Sequence, residues 1–250
     1  MYPRRLFLAL TVSLAAFAAD AQDLATTCHA TSSYDLTVAP DHLLFDRQQP
    51  APRQVELHDG HLRTDGAAVS LRPDEQDRLS LFERELRALV PRGKAVANKG
   101  VDMLVSAMHD EGSRLSLSPD TRAELDRRVA ARAAELKQRL ANSNSTHDWQ
   151  GNLADEYANQ IASDLMPLIA NDLGQQAMNA AMTGDLQAAA NLRDTAADLA
   201  TQLRPRLEQR MQALTPQIQA LCPSVQRLAE LQQDIRAGNG QPLNLIQVGQ

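Results

Sequence analysis

The chain has 250 residues, 43% hydrophobic but only 3% aromatic, and a formal net charge of −6. With no basic cluster to neutralise phosphates, that charge argues against a nucleic-acid binder and against adhesion to anionic lipid. So few aromatic residues leave a core of Leu, Ala, Val and Met, which packed helices use better than a β-sandwich does.

The first residues read as a signal peptide over 1–21. Arg4 and Arg5 supply the positive start, and Leu6 to Ala18 is apolar except for Thr11 and Ser13. Ala19-Asp20-Ala21 then fits a small-x-small cleavage site, so the mature chain is expected to begin at Gln22. The apolar run is shorter than the roughly 20 residues of a membrane helix. No stable membrane anchor is expected, and export is. Losing Arg4, Arg5 and Asp20 makes the remainder one charge more acidic than −6. Two cysteines remain, Cys28 and Cys222. In an oxidising compartment an even pair most simply forms a disulfide.

The fold class expected is α+β: a small N-terminal antiparallel β-meander over 22–72, then a mostly helical region over 73–236 packed on it. A tail over 237–250 reads either as a short strand or as a flexible end. In the meander, Tyr34, Leu36 and Val38 alternate with polar residues, and a turn at Pro40-Asp41 would set Val38 opposite Leu43 and Leu36 opposite Phe45. Asp59-Gly60 is a two-residue turn signal that sets His58 opposite His61, Leu57 opposite Leu62 and Glu56 opposite Arg63. Asp65-Gly66 repeats the device and sets Leu62 opposite Val69. Val55, Leu57, Leu62 and Val69 then share one apolar face.

Pro73-Asp74-Glu75 starts the first helix, with proline early and acids in the first turn. Its stripe is Leu79, Phe82, Leu86 and Leu89, and Pro91 is expected to end it. A second helix is expected from Val96 to near Gly112, and a third from Ser118-Pro119-Asp120 along Leu125, Val129, Ala133, Leu136 and Leu140. A polar break over 142–147 follows, with Trp149 expected to cap the next helix against the core. That helix carries Leu153, Tyr157, Ile161, Leu165 and Leu168, with a kink expected at Pro167. The last third has an apolar line from Leu186 through Leu199, Leu214 and Leu228 to Ile235, interrupted by Pro205, Pro216 and Pro223 and stopped by Gly238-Asn239-Gly240.

Chemistry-bearing groups are sparse. His58 and His61, with Glu56 on the same face, are the weak metal candidates, but a zinc site needs three or four ligands in geometry. The carboxylate pairs, including Glu83/Glu85 and Asp110/Glu111, read as solvated helix faces with i,i+4 partners such as Glu83–Arg87 and Glu124–Arg128. Nucleophile elbow, S-x-x-K, H-E-x-x-H and Walker motifs are missing, so no catalytic residue and no cofactor is assigned.

The order of features carries a resemblance: Cys28, then Tyr34-Asp35-Leu36-Thr37-Val38-Ala39-Pro40, the Asp59-Gly60 turn, and Leu71 before Pro73-Asp74-Glu75-Gln76. The segment from Val96 to Met108 with Gly100-Val101-Asp102, and a late Leu221-Cys222-Pro223, complete it. In this the chain resembles the YggN-like family of uncharacterised proteins from Gram-negative bacteria. The resemblance implies a periplasmic protein with no assigned activity, fits paired cysteines, and transfers no site residue. The reading that follows is an exported soluble envelope protein, non-enzymatic, that binds or scaffolds an envelope protein or an apolar ligand. A holdase-type chaperone and a metal-dependent enzyme using the His58/His61 hairpin are the alternatives.

Overall fold

In the computed structural model, residues 26–149 and 153–249 are described, without the side chains of 153–162, 200 and 204. The expected signal peptide over 1–21 lies outside the described residues, as do the side chains of Leu153, Tyr157 and Ile161.

Five strands form an antiparallel meander in chain order: β2 (Asp35–Val38), β3 (Leu43–Asp46), β4 (Gln54–His58), β5 (His61–Thr64) and β6 (Ala67–Val69). The turn residues set the register as expected: Val38 faces Leu43, Leu57 faces Leu62, His58 faces His61 and Leu62 faces Val69. Asp59 and Gly60 both take positive φ, the conformation that a tight hairpin turn requires. A two-stranded sheet pairs β1 (Ala30–Thr31) with β7 (Gln247–Val248), so the tail ends in a strand.

The first helix departs from expectation. α1 runs unbroken from Pro73 to Arg114, 42 residues, with Pro91 inside it. At 1.5 Å per residue this is a rod of about 63 Å. Proline removes one amide donor, and contacts just beyond it hold the helix in line. Arg92 donates to the Ser224 hydroxyl and the Ala220 carbonyl, and Lys94 donates to the carbonyls of Ala141 and Ser143.

The N-terminal half of α1 lies under the meander. Its Leu79, Phe82 and Leu86 join Leu43, Phe45, Val55, Leu57 and Leu62 in one cluster. Glu83 and Arg87 do not pair along the helix as expected; each holds a hairpin turn. The buried Glu83 carboxylate accepts the Gly60 N–H at 2.9 Å and the Asp59 N–H at 3.3 Å. Arg87 donates to the Ala39 carbonyl at 2.6 Å. The reach to two turn donors explains the choice: a buried carboxylate needs hydrogen bonds, and the turn offers two.

The chain's end closes this cluster. α6 (Cys222–Leu231) contributes Leu228 and Leu231, and Ile235, Leu243 and Leu245 follow. The Gln232 side chain accepts from Leu245 N–H and donates to the Ile246 carbonyl, so the tail is fixed through its backbone. Cys28 and Cys222 form a disulfide with Cα atoms 5.1 Å apart, tying the residues before β1 to the first turn of α6.

The C-terminal half of α1 belongs to a second cluster. There it meets α2 (Pro119–Asn142), α3 (Leu153–Met182) and α4 (Leu186–Met211). Leu115, Leu117, Leu125, Val129, Leu165, Ile169, Leu173 and Leu199 are its buried members. Ser118 caps α2 as expected, accepting from Thr121 N–H, and Glu124 pairs with Arg128 at 2.6 Å. Pro167 and Pro205 both lie inside continuous helices. Pro216 and Pro223 fall in the first turns of α5 (Thr215–Gln219) and α6, where a missing donor costs nothing.

The polar break between α2 and α3 has a structural role. Its residues lie along the outer edge of β2, with Val38 N–H donating to the Asn144 carbonyl and Leu36 N–H to the Thr146 hydroxyl. An exposed sheet edge is thereby covered. Trp149 does not cap α3 against a core. It is 40% exposed, and its indole N–H donates to the Ser143 hydroxyl within the same connector.

Candidate functional site

The surface that stands out is the tip of the α3–α4 hairpin. From Leu173 to Leu192 the chain carries a single charged residue, Asp185, although 22% of the whole chain is charged. The turn is built from local chemistry. Gly184 takes φ +83°, and Asp185 N–H bonds back to the Ala180 carbonyl while Gly184 N–H bonds to Ala181, closing α3 with a left-handed cap. Asp185 then starts α4 by accepting from Ala188 N–H at 2.9 Å. The one charge in the stretch is therefore used by the turn.

The hairpin outreaches its neighbours. The α1–α2 connection crosses α3 at Asp172 and Gln176: Asp172 accepts the Ser118 N–H at 2.8 Å, and Gln176 donates to the Ser116 carbonyl at 2.7 Å. The helix continues from there to Met182, a further 9 Å or so, and every residue from Ala181 to Gln187 is exposed. Met178, Met182 and Leu186 are 64%, 74% and 71% exposed. Among the described residues these are three of the four large hydrophobic side chains left in water, the fourth being Trp149. Leu186, expected on a buried stripe, is a correction: the stripe starts to pack only at Leu192, beside the second cluster. Two methionines and a leucine on a projecting end form an exposed apolar surface.

Asp172 fixes the base of this tip. Burial raises its pKa, but hydrogen bonds from the Ser118 N–H, and from the side chains of Ser118, Gln176 and Thr121, together hold it below the ordinary carboxylate range.

The weak metal candidates are placed on the outer face of the meander. His58 and His61 are direct cross-strand neighbours and Glu56 faces Arg63. Both histidines are exposed, and His58 Nε2 lies 3.5 Å from Asp59. Among the described residues no three or more His, Cys, Asp or Glu side chains gather where they could hold a metal ion. Also among them, no helix is long and apolar enough to cross a membrane.

Sequence reasoning missed two features. The first is the tip, whose signal was the charge-free run on both sides of Asp185. The second is Glu111, expected on a solvated face yet only 4% exposed. Its two oxygens accept from Arg114 and Arg206, each at 2.9 Å.

Comparison with curated proteins and with solved structures finds no match. Residues 28–246, most of the chain and both cysteines, match the family described as Protein of unknown function (DUF2884), and the chain belongs to that family.

Proposed function

We propose that this chain is an exported envelope protein that works as a binding or scaffolding module, holding an apolar surface of another protein with the α3–α4 hairpin tip. The carrying observation is the clustering of Met178, Met182 and Leu186 in water at one projecting, almost uncharged end. Exposed apolar patches of this kind mark interaction sites. The amino-terminal sequence pattern and the Cys28–Cys222 disulfide support an oxidising compartment, and the YggN-like resemblance supports the periplasm of a Gram-negative cell.

The test uses cross-linking in intact cells, followed by recovery under oxidising conditions and mass spectrometry. The wild-type chain is expected to retain a defined partner that the Met178→Gln/Met182→Gln/Leu186→Gln variant loses. Retention of the same partner by the variant would remove the tip from the account. The paired methionines also favour a holdase-type reading, because flexible thioether side chains re-pack around varied apolar segments. No suppression of client aggregation at equimolar ratio would end that second reading.

A further inference from the structure

A second surface is independent of the tip. Between the last turn of α1 and the middle of α4 lies an open cleft of about 310 Å³, the lower end of the range for small-molecule sites. Its floor is apolar, from Leu115 and Leu199, and its walls carry charges of both signs: Arg114 and Arg206 with Glu111, Asp194 and Asp198.

The charges are not all used up by one another. Buried Glu111 holds both guanidinium groups, one per oxygen. Arg206 spends its other arm on Asp198 at 2.9 Å. Arg114 touches Glu111 through one nitrogen, its side chain is 60% exposed, and its remaining N–H groups have no partner among the described residues. Asp194 is exposed and likewise has no partner among them. A free cation donor and a free carboxylate therefore line the same cleft above two leucines. Burial of Glu111 adds to this: a charge this deep is held only where it is fully hydrogen-bonded, and here it fixes Arg114 at the rim.

We propose that this cleft binds a small zwitterion with an apolar side chain, of the amino-acid or short-peptide class. The ligand's carboxylate would meet the free arm of Arg114, its ammonium group would meet Asp194 and Asp198, and its side chain would rest on Leu115 and Leu199. Both signs are needed, because a simple anion faces Asp194 and Asp198, and a simple cation faces Arg114.

The test titrates L-leucine and dileucine, with their N-acetyl and C-amide derivatives, into the ¹⁵N-labelled full mature chain and follows the backbone amides of residues 111–115 and 194–199. One free zwitterion is expected to saturate these shifts at micromolar to millimolar concentration, with at least tenfold weaker binding of both blocked derivatives. Asp194→Asn should remove the saturation while leaving the urea midpoint unchanged; Arg114→Gln should remove it while lowering that midpoint, because buried Glu111 loses one of its two partners. Absence of a saturable shift with either zwitterion, equal binding of the blocked forms, or undiminished binding by both variants would overturn the proposal. Because Met178, Met182 and Leu186 are not touched, the outcome is separate from that of the hairpin-tip test.

Discussion

The two hydrophobic clusters of this molecule are built to different tolerances. Among the described residues, the ten largest fully buried side chains, including Phe82, Leu57, Leu228 and Leu245, all belong to the cluster between the meander, α1 and the chain's end. The helical cluster of α1–α4 contains none of them, and it runs out into a tip where Met182 is 74% exposed. Interiors packed to crystal density resist any change of volume. The helical hairpin instead ends in side chains that no neighbour covers. The sheet end thus supplies most of the deeply buried core, and the proposed function assigns the contact surface to the helical end.

Truncation should expose this contrast most strongly. Leu57→Ala truncates a fully buried leucine in the sheet cluster and is expected to cost about 4–5 kcal/mol, against about 2–3 for the same truncation, Leu165→Ala, in the helical cluster. Urea unfolding of both variants checks the ranking. Equal costs would mean that the two clusters are packed alike. Reduction of the Cys28–Cys222 bond, or its replacement by two serines, should cost about 2–5 kcal/mol. Because it ties β1 to α6, hydrogen exchange should rise first in the sheet cluster and the tail.

Two smaller effects sharpen the comparison at single residues. Glu83→Gln should cost about 1–3 kcal/mol, because the amide is a weaker acceptor for the Asp59 and Gly60 N–H groups. The amide exchange of Gly60 is the local readout. Asp172 provides the matching pH test at the base of the hairpin. Its folded pKa lies below its unfolded value, so it stabilises the fold above the ordinary aspartate value of about 3.9. That contribution is lost as pH falls through the lower folded value. Asp172→Asn should therefore flatten the loss of stability with acid below about pH 4, measured as the urea midpoint against pH. The smallest effect on stability belongs to the Met178→Gln/Met182→Gln/Leu186→Gln variant. It should stay within about 0.5 kcal/mol per site, since these side chains give up no buried contact.

The same contrast explains what could be read from sequence. The meander was legible residue by residue, because Asp59-Gly60 and Asp65-Gly66 set the register and a one-residue slip would turn Leu57 and Leu62 outward. The disulfide was legible from an even cysteine count. The unbroken α1 was not: Pro91 carries a local signal to stop, while Arg92 and Lys94 act through residues more than 40 positions away in sequence. Glu83 with Arg87 has the spacing of a surface pair, and only the folded turns show that each has a better partner. Leu186 looks like Leu192 on a helical wheel. Whether such a stripe is covered depends on where α1 and α2 end relative to the hairpin, a tertiary length that periodicity does not carry. The loss of charge between Asp172 and Arg193 was the one local clue.

The most direct measurement places a photo-cross-linking amino acid at position 182 or, as a control on the outer face of the meander, at position 61. Both are exposed. Irradiation of intact cells exporting the chain is predicted to give a discrete adduct at position 182 and none at position 61. Equal labelling at the two positions, or adducts at 61 alone, would contradict the assignment of contact to the helical end of the molecule.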